Sequence, residues 1–192
     1  MCYITSMINP DIIQELKQFN WQTIIDFGNS LDDLNDRQWR FLKGLVAELT
    51  VEEHSFNNLK YVGEDHKDYN WPSQDLTVEL KSQLSGPMYT KKGLLRKNFS
   101  IKLNNSNGTN KKDVLDLTEV ADLLLVVRSD GSFVIDKTTV LTNYRKGGDG
   151  FEVVVAASQI TEISGKIQPK NKFQTQIKKD VTDVIRKSIP RI

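Results

Sequence analysis

The run Leu123-Leu124-Leu125-Val126-Val127 constrains the fold of this chain more than any other feature. It is the longest stretch of large apolar residues, and it is only strand-length. A helix crossing a membrane needs roughly 18 consecutive apolar residues, and nothing here approaches that. In an extended strand successive side chains point to opposite faces, so an unbroken apolar run needs cover on both sides. A strand over Asp122–Val127 therefore belongs in the interior of a layered structure, and the rest of the chain must supply the layers.

Helices are expected before it. Asn9-Pro10-Asp11 reads as a helix start, with a capping Asn and a Pro whose missing N–H costs nothing in the first turn. Ile12, Ile13, Leu16 and Phe19 follow at helical spacing. A second helix is expected from about Asn35 or Asp36 to Glu53, with Trp39, Leu42, Val46 and Leu49 as its buried stripe. The period then changes. Tyr61-Val62 reads as a short strand and Gly63–Ser73 as a polar, turn-rich connection. Leu76–Lys81 alternates strictly, with Leu76, Val78 and Leu80 on one side and Thr77, Glu79 and Lys81 on the other. Ser85-Gly86-Pro87 stops it.

Further strands are expected at Asn98–Leu103, Phe133–Ile135 and Phe151–Ala156, with a turn over Asn104–Asn110. A last helix over Gln174–Ser188 places Ile177, Val181, Val184 and Ile185 on one face. The order predicts a mixed α/β fold, a central mixed β-sheet flanked by helices. At 192 residues, 38% of them hydrophobic, the chain fits one domain. Its core is expected over about 35–160, with a basic insertion over about 84–112.

Cys2 is the only cysteine, and His54 and His66 are the only histidines. No internal disulfide and no thiolate zinc site can be built from them. The stretch Met1–Ser6 lacks both the basic start and the apolar centre of a secretory signal. The expectation is a cytoplasmic protein with no membrane partner. A net charge of +1 conceals segregation, because no acid occurs from Ser82 to Lys112 while Lys91, Lys92, Arg96, Lys97, Lys102, Lys111 and Lys112 are basic. A second basic stretch, Lys166–Arg191, holds only Asp180 and Asp183 as acids. Such fields favour a polyanionic partner.

The chemistry is expected on Leu76–Lys81. The tripeptide Glu-x-Lys occurs twice, but Glu15 and Lys17 lie in a helix, where residues two apart share no face. On a strand, Glu79 and Lys81 stand side by side, roughly 6 to 7 Å apart at the backbone. A carboxylate can hold a hard, oxygen-binding cation against a phosphodiester, and a neighbouring ammonium can orient water and stabilise growing charge. A second carboxylate is needed. Asp75 is about 13 Å along the strand from Glu79, too far to share one ion. Asp68 or Asp65 could reach the site if Gly63–Gln74 folds back, with Asp68 preferred.

Asp68, the Glu79-Leu80-Lys81 triplet, a preceding helix bearing Glu48, and the apolar strand Asp122–Val127 together resemble the PD-(D/E)xK nuclease superfamily, its small type II restriction endonucleases above all. The match spans about Asn35–Val127, and it departs from the pattern in that no Pro precedes Asp68 or Asp65. The resemblance implies that Asp68, Glu79 and the Leu80 carbonyl bind Mg²⁺, that Lys81 serves the attacking water, and that Glu48 lines the site through water. Double-stranded DNA is then the expected partner. Lys91, Lys92, Arg96 and Lys97 would supply phosphate contacts, and Gln83, Asn98, Asn104 and Asn105 amides suited to base edges. A homodimer would put one site on each strand of a palindromic target. A repair or structure-specific nuclease, a non-catalytic DNA-binding module and a protein-interaction domain are the competing expectations.

Overall fold

The computed structural model describes residues 8–31, 47–64, 67–83, 86–103, 120–147 and 150–168. Helix α1, Pro10–Gln18, starts as its sequence dictates, with the Asn9 side chain accepting from the Asp11 N–H at 2.9 Å. It ends at Phe19, and a second helix, α2, follows at once over Trp21–Leu31. Asn20 supports that start by accepting from the Thr23 N–H at 3.3 Å. The Trp21 indole closes the corner by donating to the Leu16 carbonyl at 2.7 Å.

The chain is helical again over residues 47–53, here α3. Asn35, Trp39, Leu42 and Val46 lie outside the described residues. Leu49 does not line a buried stripe: it is 45% exposed, and Val51 enters the core instead. The helix is turned relative to the expected phase because Val51 and Ala47 meet the apolar cluster.

A six-stranded mixed sheet forms the centre. Its strands are β1 (Lys60–Glu64), β2 (Lys67–Trp71), β3 (Leu76–Gln83), β5 (Leu123–Arg128), β6 (Gly131–Asp136) and β9 (Thr161–Glu162), in that spatial order. Neighbours are antiparallel except β3 and β5, which run parallel with Glu79 opposite Leu124 and Lys81 opposite Val126. The stretch read as a polar connection before Ser73 thus contains β2, paired on both sides. Its turn into β3 puts Asp75 at φ 51, a left-handed conformation that Asp tolerates.

A second, three-stranded antiparallel sheet has the order β4–β8–β7: β4 is Asn98–Lys102, β8 Gly150–Ala156 and β7 Tyr144–Gly147. The basic stretch after β3 is therefore partly built into the fold through β4. A short helix, α4 (Lys137–Asn143), is capped by Asp136, which accepts from the Thr139 N–H at 2.6 Å.

Two apolar layers cover the central sheet. On one face α1, α2 and α3 pack over Tyr69, Trp71, Val78, Leu80, Leu123, Leu125 and Val127. The core therefore extends before residue 35. On the other face the small sheet, Val140 of α4 and Met88 pack on Leu124, Val126, Phe133 and Ile135. The arrangement is mixed α/β, with helices over one face and mainly a second sheet over the other. No described helix is long and apolar enough to cross a membrane. The expected helix over 174–188 lies outside the described residues.

Candidate active site

Strand β3 sends Val78 and Leu80 into the helix-side core, so Glu79 and Lys81 must point to the other face, beside Leu124 and Val126 of β5. Both are nonetheless buried, Glu79 at 7% and Lys81 at 6% exposure. The Lys81 ammonium is ion-paired with Glu79 Oε1. The other carboxylate oxygen, Glu79 Oε2, is buried with no hydrogen-bond partner among the described residues. An orphaned charged oxygen at that depth is costly unless something positive or donating meets it.

The second acid comes from β2. Its register with β3 pairs Tyr69 with Val78 and Asn70 with Thr77, and one more step sets Asp68 opposite Glu79. Asp68 Oδ2 accepts from the Leu80 N–H at 2.6 Å, tying the acid to the middle of the triplet. Burial, then the nearby Glu79 and Glu48 charges, push the Asp68 carboxyl up to about 7; the Leu80 N–H pulls the other way. Asp65 and His66 lie outside the described residues.

Glu48 on α3 adds a third acid to the same field. Burial, and secondarily the Glu79 charge, raise its carboxyl above the ordinary value, while a hydrogen bond from Tyr61 lowers it. The backbone around it is held, since the Tyr69 hydroxyl donates to the Glu48 carbonyl at 2.7 Å. Three carboxylates thus share one region with the Lys81 ammonium, and burial first, then the Glu79 charge, favours the protonated forms of Asp68 and Glu48. Asp122 anchors this end of β3, accepting from the Thr77 N–H at 2.9 Å and the Thr77 hydroxyl at 2.7 Å.

Lys91, Lys92, Arg96, Lys97 and Asn98 are all exposed, on the chain that leaves the end of β3 and enters β4. Gln83 is half-buried beside its parallel partner Arg128. Asn104 and Asn105 lie outside the described residues. Trp71 is fully buried against Phe19 and offers nothing to a ligand.

Two side chains were not legible as part of this region. Tyr61 meets Glu48 only because β1 pairs with β2 beneath α3. Arg128 closes the apolar strand and lies over the Phe99 ring, its Nη2 donating to the Ser100 carbonyl at 2.8 Å. Burial, then the charge of Arg96, push its guanidinium below its ordinary value. Arg128 and Arg96 therefore share one positive region at the end of β5, with the Asp130 carboxylate beside it. An Arg ending a strand carries no sequence signal of this.

The donor set is all oxygen, which suits a hard divalent cation. Among the described residues no three His, Cys, Asp or Glu side chains are grouped to hold a metal ion. Magnesium does not require such a cage, being commonly bound by one or two carboxylates together with substrate phosphates. Asp68 and Glu79, on adjacent strands, fit that description. No family model, curated protein or solved structure matches the chain.

Proposed function

We propose that this protein is a Mg²⁺-dependent endonuclease of double-stranded DNA, with the restriction endonuclease-like arrangement its triplet resembles. The observation that carries the reading is the buried Glu79–Lys81 pair beside the half-buried Asp68 and Glu48, in which Glu79 Oε2 has no described partner. Buried acids that repel one another destabilise a fold unless a cation joins them, and such clusters concentrate at functional sites.

Asp68, Glu79 and the Leu80 carbonyl would hold the ion, which supplies charge to neutralise the phosphate and to activate water. Asp68 must give up its proton first; with its carboxyl near 7 about half of the molecules have done so at neutral pH, and binding the ion would draw off the rest. Lys81, released from Glu79, donates hydrogen bonds to the attacking water and to the phosphoryl oxygens. Water oxygen bonds to phosphorus as the ester P–O bond breaks, leaving a phosphate and a hydroxyl end without a covalent enzyme intermediate. Glu48 orients water at the margin of the site. The exposed lysines and arginines after β3 bind the backbone, and a two-fold pair of chains would place one site on each strand. Restriction of foreign DNA in the cytoplasm is the setting this chemistry suits best.

The test is plasmid cleavage in Mg²⁺ and in EDTA. Wild-type protein should cut only with Mg²⁺, whereas Glu79→Ala and Lys81→Ala should lose cutting and keep most duplex binding. Cleavage at wild-type rates by both variants would overturn the assignment. Salt-dependent binding without any cleavage would leave a DNA-binding module.

A further inference from the structure

We propose that residues 88–96, between β3 and β4, form a braced finger that inserts Leu94 as an apolar wedge at a base step of duplex DNA, with Lys91, Lys92 and Lys166 on the flanking phosphates. The choice of DNA as partner rests on the nuclease reading; the wedge rests on the loop itself.

The base of the finger is fixed. Met88 and Tyr89 are buried in the core under the small sheet. The Asp130 carboxylate accepts from both of their backbone N–H groups, and the Tyr89 hydroxyl donates to Glu162. Above the base the loop closes as a miniature hairpin. Tyr89 bridges to Leu95, and the Arg96 N–H donates to the Met88 carbonyl at 3.1 Å. Thr90 N–H to the Leu94 carbonyl and Gly93 N–H to the Thr90 carbonyl, both 2.8 Å, close the tip. Gly93 turns there at φ 79, a left-handed conformation that favours glycine.

Leu95 packs against the core, but Leu94 is 66% exposed. A lone exposed leucine is ordinary on a protein surface. This one differs in its support and its neighbours. It stands on the returning arm of a braced hairpin, one residue past the Gly93 turn, with exposed Lys91 and Lys92 just before that turn closes. A second segment contributes Lys166, whose ammonium would lie 3.5 Å from a Cβ placed on Gly93. Among the described residues none of these three lysines is ion-paired, and the chain carries no acid from Ser82 to Lys112.

A braced, exposed leucine among cations without an ion-pair partner among the described residues is complementary to a surface of regularly spaced phosphates with an apolar stack between them. Proteins that kink DNA insert Leu, Ile, Met or Phe between base steps in this manner, and the wedge must be stiff because unstacking costs energy. One leucine is too little apolar surface to hold a bilayer.

The experiment uses the full chain in EDTA and a short duplex carrying 2-aminopurine, with affinity measured from about 50 to 200 mM salt. Wild-type protein should raise 2-aminopurine fluorescence as bases unstack. Leu94→Ser should abolish that rise and weaken binding roughly tenfold with an unchanged salt slope. Leu94→Met should restore the rise. The double variant Lys91→Ala/Lys92→Ala should lower the salt slope by about 0.9 for each phosphate it no longer neutralises. Wild-type fluorescence and affinity for Leu94→Ser would overturn the wedge, as would Leu94-dependent binding to anionic vesicles without binding to the duplex. The two readings separate cleanly. DNA cut in Mg²⁺ with Leu94→Ser unaltered sinks the finger alone, and an unstacking finger on a protein that never cuts sinks the nuclease alone.

Discussion

Strands β3 and β5 lie side by side, run in the same direction and are both buried from Val78 to Lys81 and across from them, yet they treat one face of the sheet in opposite ways. Where β5 places Leu124 and Val126, β3 places Glu79 and Lys81 at the same levels. Their other faces are alike: Val78 and Leu80 on β3, Leu123, Leu125 and Val127 on β5, all under the helices. The apolar solution on β5 is what stability alone would select. An ion pair taken out of water loses hydration that its own attraction seldom restores, so apolar residues of similar volume usually do as well or better. On the proposed reading, the contrast marks the part of the sheet held for chemistry rather than for folding.

Breaking half of the pair should have the largest effect. Lys81→Met leaves Glu79 buried without its cation and should cost about 3–5 kcal/mol in chemical denaturation. Leu124→Ala, at the equivalent level of β5, removes packing only and should cost about 2–5 kcal/mol. The double variant Glu79→Leu/Lys81→Met copies β5 onto β3. It should recover wild-type stability or exceed it by about 1–4 kcal/mol while cutting no DNA. A double variant as unstable as Lys81→Met would mean that the pair stabilises the fold, and the comparison would break.

The smallest effect sharpens the same contrast through pH. The Asp68 carboxyl stands near 7 in the folded chain against an ordinary value near 4, so the folded state holds the proton more tightly. Its contribution to stability is complete below about pH 4, falls as pH rises towards 7, and is level above that. Asp68→Asn should flatten this part of the profile. Because magnesium competes with the proton, Mg²⁺ should raise the melting temperature of the wild-type protein more at pH 8 than at pH 5. Equal shifts at the two values, or an Asp68→Asn protein that gains as much from Mg²⁺, would remove Asp68 from the ion site.

Much of the fold was legible where one local rule dominates. The Asn9-Pro10 start, the alternation of β3 and β4, and the doubly apolar β5 all read directly from residue order. Strand β2 did not, because Lys67-Asp68-Tyr69-Asn70-Trp71 holds only two apolar residues beside a turn; it is a strand because β1 and β3 pair with it. Helix α4 is threonine-rich and short, so its cap and its packing decide it rather than its propensity. The α2 helix begins only two residues after Phe19, too close to α1 for periodicity to separate them.

Sequence by itself determined that Glu79 and Lys81 share a face, because a strand repeats every two residues whatever surrounds it. It also determined that the chain beyond them is basic. Tertiary structure decided which acid joins them, since Asp68 is eleven residues away and meets Glu79 only through the β2–β3 register. It likewise decided the depth of the pair, because the cost of burying charge depends on which layers close over the sheet, and no local pattern in the chain encodes that.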